Sequence, residues 1–125
     1  MPTHTITALR NAQMDAYTTE MGSAGLLDIY DGAQPSAGGA ATTLLAQFTC
    51  GSPFAPAASG GVLSPTLPAN TTGLAAGTAT WYRMTTSAGA WVRDGVIADL
   101  GLNTTTISVG LPMSVTSWTI TAANA

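Results

Sequence analysis

Lysine is absent from this 125-residue chain, and charge of either sign is scarce: three arginines, six acidic residues and one histidine. The charged fraction of 7% compares with about 25% in an average soluble domain. A formal net charge of −3 argues against a direct nucleic-acid partner, because neutralising phosphates takes clustered Lys or Arg. No apolar run approaches the ~18 residues that span a bilayer, so a membrane role is not expected. The first residues lack the basic region and apolar core of a signal peptide, which points to a soluble chain not exported by that route. Cysteine occurs once, so there is no intrachain disulfide framework and no structural zinc site. Cys50 reads as a small buried apolar residue; as a nucleophile it would need a base near Phe48–Gly51, and the one histidine is His4.

Threonine, serine, alanine and glycine must cover the surface that charge does not. One reading is a small-residue bias of a secreted or high-GC-genome protein. The other, which we favour, is a subunit whose faces are largely buried against copies of itself or another protein, so that few charges are tolerated. The length fits a single domain over 1–125 that buries roughly two thirds of its unfolded surface.

Helical spacing of Ile6, Leu9, Ala12, Gln13, Ala16, Tyr17 and Met21 predicts one helix over about 5–22, with Thr3 or Thr5 as N-cap and Gly22 after the last turn. Residues 26–122 read as β-rich. Leu26–Tyr30 is a strand ending at the turn pair Asp31-Gly32, and it is expected to pair with a second strand within Ala41–Cys50. In that strand Leu44, Ala46 and Phe48 share one face, and Thr43, Leu45, Gln47 and Thr49 the other. Gly51–Gly61 is a loop whose Phe54 plugs the core, Val62–Leu67 an edge or bulged strand, and Pro68–Ala76 a loop. Gly77–Ala98 is read as the central hairpin, turning at Ser87-Ala88-Gly89, with a bulge at Gly95. Asp99–Asn103 is assigned to a turn, Thr104–Val109 to a strand, and Met113–Ala122 to a last strand with a bulge near Ser117 or two covered faces. The expected architecture is mainly β: an antiparallel β-sandwich or compact barrel with one N-terminal α-helix packed on it.

No catalytic constellation emerges. Asp28 and Asp31 with Asp94 or Asp99 offer oxygen ligands, but Asp31-Gly32-Ala33-Gln34-Pro35 lacks the alternating ligands of a calcium loop. A paired-carboxylate hydrolase needs a cleft that the chain has little length to build. Gly38-Gly39 and Gly60-Gly61 lack the Lys-Ser/Thr signature of phosphate loops. Asn70-Thr71-Thr72 and Asn103-Thr104-Thr105 match glycosylation sequons, which matter only along a secretory route. No enzyme activity and no cofactor are expected. The aromatic and arginine set Trp81, Tyr82, Arg83, Trp91, Arg93 and Trp118 divides between core filling and a candidate interface. Bulky groups alternate on both faces around Trp81–Met84, so both faces of that strand should be covered. Arg83 and Arg93 should then be paired, with Asp94 or with a carboxylate of another subunit.

Leu9-Arg10-Asn11-Ala12 with Asp15-Ala16, Leu27-Asp28-Ile29-Tyr30-Asp31-Gly32, Gly77-Thr78-Ala79-Thr80-Trp81 with Arg83, Asp94-Gly95, Leu102-Asn103-Thr104 and Val115–Thr121 occur in that order. In these motifs and their spacing the chain resembles a group of small, mostly uncharacterised head and tail proteins of tailed bacteriophages and prophages. The resemblance implies a virion structural protein assembled in the host cytoplasm. Within that class, small size and a low-charge exterior point to a capsid decoration or cement protein. Its partners would be the major capsid protein, other virion proteins and further copies of itself. A tail or baseplate component is the alternative, and a carbohydrate-binding module using Trp81 with Trp91 a second.

Overall fold

The computed structural model describes residues 6–36 and 38–121. It runs α1 (Thr7–Met21), β1 (Leu26–Tyr30), β2 (Leu44–Thr49), β3 (Val62–Leu63), β4 (Thr71–Thr72), β5 (Gly77–Thr78), β6 (Trp81–Thr85) and β7 (Trp91–Val96). A 3₁₀ turn over Ile97–Asp99 leads to β8 (Leu100–Leu102), β9 (Thr106–Ile107), β10 (Pro112–Met113), β11 (Val115–Trp118) and β12 (Ile120–Thr121). The fold is mainly β with one N-terminal helix packed on an antiparallel sheet, as the sequence predicts, and it does not close into a barrel. None of its helices is long and apolar enough to cross a membrane, among the described residues.

The principal sheet has the order β2-β1-β6-β7. Leu27, Ile29, Ala46, Phe48, Tyr82 and Met84 alternate onto one face and enter the hydrophobic core. Asp28, Tyr30, Trp81 and Arg83 take the opposite face, where residues 31–36 and 38–43 fold back as a cover. The β1–β2 pairing matches expectation, but its register shifts between Ile29 and Tyr30, and Leu44 pairs with Tyr30. The extra residue lets Leu45 be fully buried instead of alternating outward with Gln47.

Four two-stranded ladders complete the shell: β10-β4, β11-β8, β12-β3 and β5-β9. They correct several boundaries. Gly77–Thr78 leaves the central hairpin to pair with Thr106–Ile107, which is all that forms of the strand expected over Thr104–Val109. Within Asp99–Asn103, read as a turn, Leu100–Leu102 is a strand paired with Val115–Trp118. Thr71–Thr72, in an expected loop, pairs with Pro112–Met113, and the strand expected over Val62–Leu67 shrinks to Val62–Leu63, paired with Ile120–Thr121. The last strand is therefore three short pieces; Ala122 lies outside the described residues. Met113, Val115, Trp118 and Ile120 are all buried, and the register shift between Val115 and Ser117 lets both parities turn inward. Trp118 joins the two halves of the core edge-on, 5.2 Å from the Phe54 ring and 6.5 Å from the Tyr82 ring.

Helix α1 packs differently from its predicted stripe. Met14 and Met21 are buried, whereas Ile6 and Leu9 are exposed. Polar side chains seat the helix instead: Asp15 Oδ1 and Asn11 Oδ1 accept the Ala58 and Gly61 amides at 2.7 Å. Thr3 and Thr5 lie outside the described residues; Ile6 occupies the N-cap position with no side-chain hydrogen bond, and Gly22 ends the helix with φ of 60°.

The bulge expected at Gly95 sits elsewhere. Gly95 is in register opposite Tyr82, and the irregularity falls where Thr85 pairs with Trp91 and Met84 with Arg93, leaving Val92 extra. Gly95 serves a close approach: a Cβ there would lie 2.5 Å from the Tyr82 ring and hydroxyl. Gly95→Ala is expected to displace the Tyr82 ring and lower stability by about 1–3 kcal/mol, measured by urea denaturation; an unchanged midpoint would show that the ring has room to yield.

Candidate functional site

The covered face of the sheet holds the densest array of polar and aromatic groups. The Tyr30 and Trp81 rings stack at 4.5 Å between centroids, 18° from parallel. Their strands place them opposite each other in the ladder, which accounts for the contact. The Trp81 indole donates to Asp31 O at 2.9 Å and to Thr42 Oγ1 at 3.0 Å, and the Thr42 hydroxyl donates to Asp31 O. Thr80 Oγ1 donates to Gly32 O at 2.6 Å. Asp31 and Gly32 on one side and Thr42 on the other are thus held over Trp81.

Arg83 is the centre of the array. Its Nε donates to Asp94 Oδ1 at 2.7 Å and its Nη2 to Asp94 Oδ2 at 3.0 Å, a two-pronged pair that the β6–β7 register sets up directly. The same Nη2 donates to Gly39 O at 2.7 Å, and the guanidinium carbon stands 5.2 Å from the Trp81 ring centre. The two side chains keep 12% and 4% of their exposure. The hydrogen bonds to Asp94 hold the guanidinium pKa above its ordinary value. Burial pushes the Asp94 carboxyl up, but hydrogen bonds from Arg83 and the Trp91 indole, with the Arg83 charge, outweigh it, so it lies below the ordinary carboxylate value.

Asp28 faces Arg83 in the neighbouring row, yet Arg83 directs its hydrogen bonds to Asp94 and Gly39. Asp28 is buried, with Oδ1 unpartnered and Oδ2 accepting the Tyr30 hydroxyl at 3.4 Å. Burial raises its pKa, against the hydrogen bonds from Gln47 and Tyr30 and the Arg83 charge. Burial, with the Asp28 charge adding to it, also pushes the Cys50 thiol up to about 12, so Cys50 is protonated at neutral pH.

The six sequence candidates divide sharply. Trp81, Tyr82 and Trp118 are buried within the fold. Arg83 is paired with Asp94, one of the partners expected for it. Arg93, expected to meet a carboxylate, instead donates to Tyr17 Oη at 2.8 Å on the core side of the sheet, its guanidinium carbon 5.5 Å from that ring centre. Trp91 alone of the six is strongly exposed, at 48%. It lies against Gly38, where a Cβ would stand 3.4 Å from the indole. The paired Trp81–Trp91 platform of a sugar-binding face is not assembled, because Trp81 is sealed beneath Asp31 and Thr42.

The acidic residues do not converge: among the described residues no three of His, Cys, Asp or Glu could hold a metal together. Asp31 Oδ1 accepts the Thr43 amide at 3.1 Å, and Asp99 accepts the Tyr82 hydroxyl at 3.4 Å. His4 lies outside the described residues. A shallow groove of about 140 Å³ runs between α1 and β7, lined by Gln13, Ala16, Tyr17, Glu20 and Val92, with no nucleophile–base pair among those side chains. Sequence reading missed the partners Tyr17, Tyr30, Thr42 and Gly39. Gly38-Gly39 was the available signal, since a backbone without Cβ can come close to a large side chain.

Two outcomes follow from the Arg83 array. Arg83→Met, which strands the Asp94 carboxylate, is expected to lower stability by about 3 kcal/mol, and adding Asp94→Asn to recover a substantial part, both read by denaturant titration. The two aspartates also give opposite pH dependences. Asp28, with its folded pKa raised, stabilises fully below the unfolded carboxylate value of 3.8 and loses that contribution as pH rises through the folded value. Asp94, with its folded pKa lowered, contributes above 3.8 and loses its contribution as pH falls through the folded value. Stability attributable to this pair therefore peaks near the ordinary carboxylate pKa, and Asp28→Asn should remove the decline on the neutral side while leaving the acid side intact in thermal melts across pH.

No family model matches the chain, and no curated protein or solved structure matches it either.

Proposed function

We propose that this chain is a virion structural protein of a tailed bacteriophage, acting as a decoration or cement protein that binds and stabilises the assembled head shell. The resemblance in motif order and spacing supplies the class. The observation that carries the reading is where the few charges go. Arg10, Arg83 and Arg93 each donate to a partner within the chain, and Asp15, Asp28, Asp31, Asp94 and Asp99 each accept from one. Most of the charge is engaged in holding the fold; among the described residues only Glu20 and Asp99 are exposed charges, so the exterior carries little charge.

On that exterior Leu67, Leu74, Trp91, Val96 and Val109 are each 45% exposed or more. Such a surface suits docking on another protein without a large charge-desolvation cost. Binding the assembled shell but not its separated subunits would stabilise the shell by mass action.

Purified chain is expected to co-sediment with empty heads and to raise their thermal disruption temperature. Binding to isolated tails instead would move the chain to the tail or baseplate. A chain with affinity for neither heads nor tails would sink the reading.

A further inference from the structure

We infer that β7 is a docking edge for a second copy of this chain, the two β7 strands pairing antiparallel about a two-fold axis at Asp94; the inference rests on the assembly role proposed above. The principal sheet ends at β7 on one side and β2 on the other. The β2 side already has a neighbour: Leu45 O accepts the Leu74 amide at 2.7 Å, and β4 lies alongside. Sheet-to-sheet pairing of two copies therefore falls to β7 with β7.

The ladder phase shows which main-chain groups are available. Ile97 N donates to Thr80 O at 3.0 Å, so Ile97, Gly95 and Arg93 form the hydrogen-bonded pairs with β6. The amides and carbonyls of Asp94 and Val96 alternate to the outer side, and no turn or loop main-chain group among the described residues takes them up. Edge strands are ordinarily guarded by lysine, proline or an unpaired charge. β7 has no lysine or proline, and its two charges are engaged by Tyr17 and Arg83.

The second copy is favoured over other strands by self-complementarity. With Val92 bulged out, Val96 and Trp91 stand one step to either side of Asp94 on the same sheet face, and they are 53% and 48% exposed. A two-fold at Asp94 sets Val96 of each copy against Trp91 of the other and covers both. The two Asp94 carboxylates that meet at the axis are each already neutralised by their own Arg83 at 2.7 Å. The paired stretch from Arg93 to Val96 buries less than the ~1,200 Å² of a standard stable interface. The dimer is accordingly weak, in the micromolar range or above, and is favoured where copies are held close together.

Sedimentation velocity over a concentration series tests this. Val96 has φ of −79° and ψ of 149°, already within proline's range, so Val96→Pro removes an outward amide while sparing the β6 ladder. Wild type is expected to self-associate reversibly, Val96→Thr to match it, and Val96→Pro to associate at least tenfold more weakly at an unchanged melting temperature. Should Val96→Pro fail to fold, Val96→Lys at the same exposed site is expected to weaken association likewise. In wild type the Asp94 and Val96 amides should exchange more slowly as concentration rises. A wild type that stays monomeric throughout, or a folded edge variant that dimerises as tightly as wild type, overturns the inference, as does amide protection that arises only when heads are added. Head binding by a chain that never dimerises would overturn this inference and leave the functional reading standing; a dimer with no affinity for heads or tails would do the reverse.

Discussion

Arg83 lies on a sheet face that would ordinarily look into water, and its guanidinium makes that face an interior. It meets Asp94 with two hydrogen bonds, takes the Gly39 carbonyl with a third and stands over Trp81. Those contacts tie β6 to β7 and both to Gly39, while Trp81 reaches Asp31 and Thr42 on either side of it. In such surroundings hydrogen bonds gain strength from the lowered dielectric, and unpaired groups become correspondingly costly. The opposite pKa shifts of Asp28 and Asp94 illustrate both sides of that rule within two adjacent strand pairs.

The remainder of the shell depends on the other face of the same sheet. Ladders of two to four residues have no stability of their own and form because their side chains find a place in a shared core. Trp118 is the bridge, edge-on to both Phe54 and Tyr82, and Gly95 makes room for Tyr82. Helix α1 is fastened chiefly by polar side chains to loop amides, with Met14 and Met21 as its buried anchors. Charge engaged inside a small fold leaves an exterior poor in charge, and such an exterior with an unguarded strand edge is a surface inclined to associate.

Residue patterns by themselves determined the helix, the β1–β2 and β6–β7 hairpins, Asp94 as one of two candidate partners for Arg83, the burial of Phe54 and the two-sided covering of β6. All of these depend on short-range periodicity, turn chemistry or ladder register, which neighbours in sequence carry. Only the tertiary structure decided that Asp31, Gly39 and Thr42 would close over Trp81 and Arg83, and that Tyr17 would take Arg93 across the sheet. It alone divided the C-terminal third into short pieces with separate partners, displaced the bulge from Gly95 to Val92, and turned Ile6 and Leu9 outward. Those outcomes rest on contacts between residues far apart in the chain. There the fit of a large ring or the capture of a buried charge outweighs local preference, and nothing in the local pattern announces it.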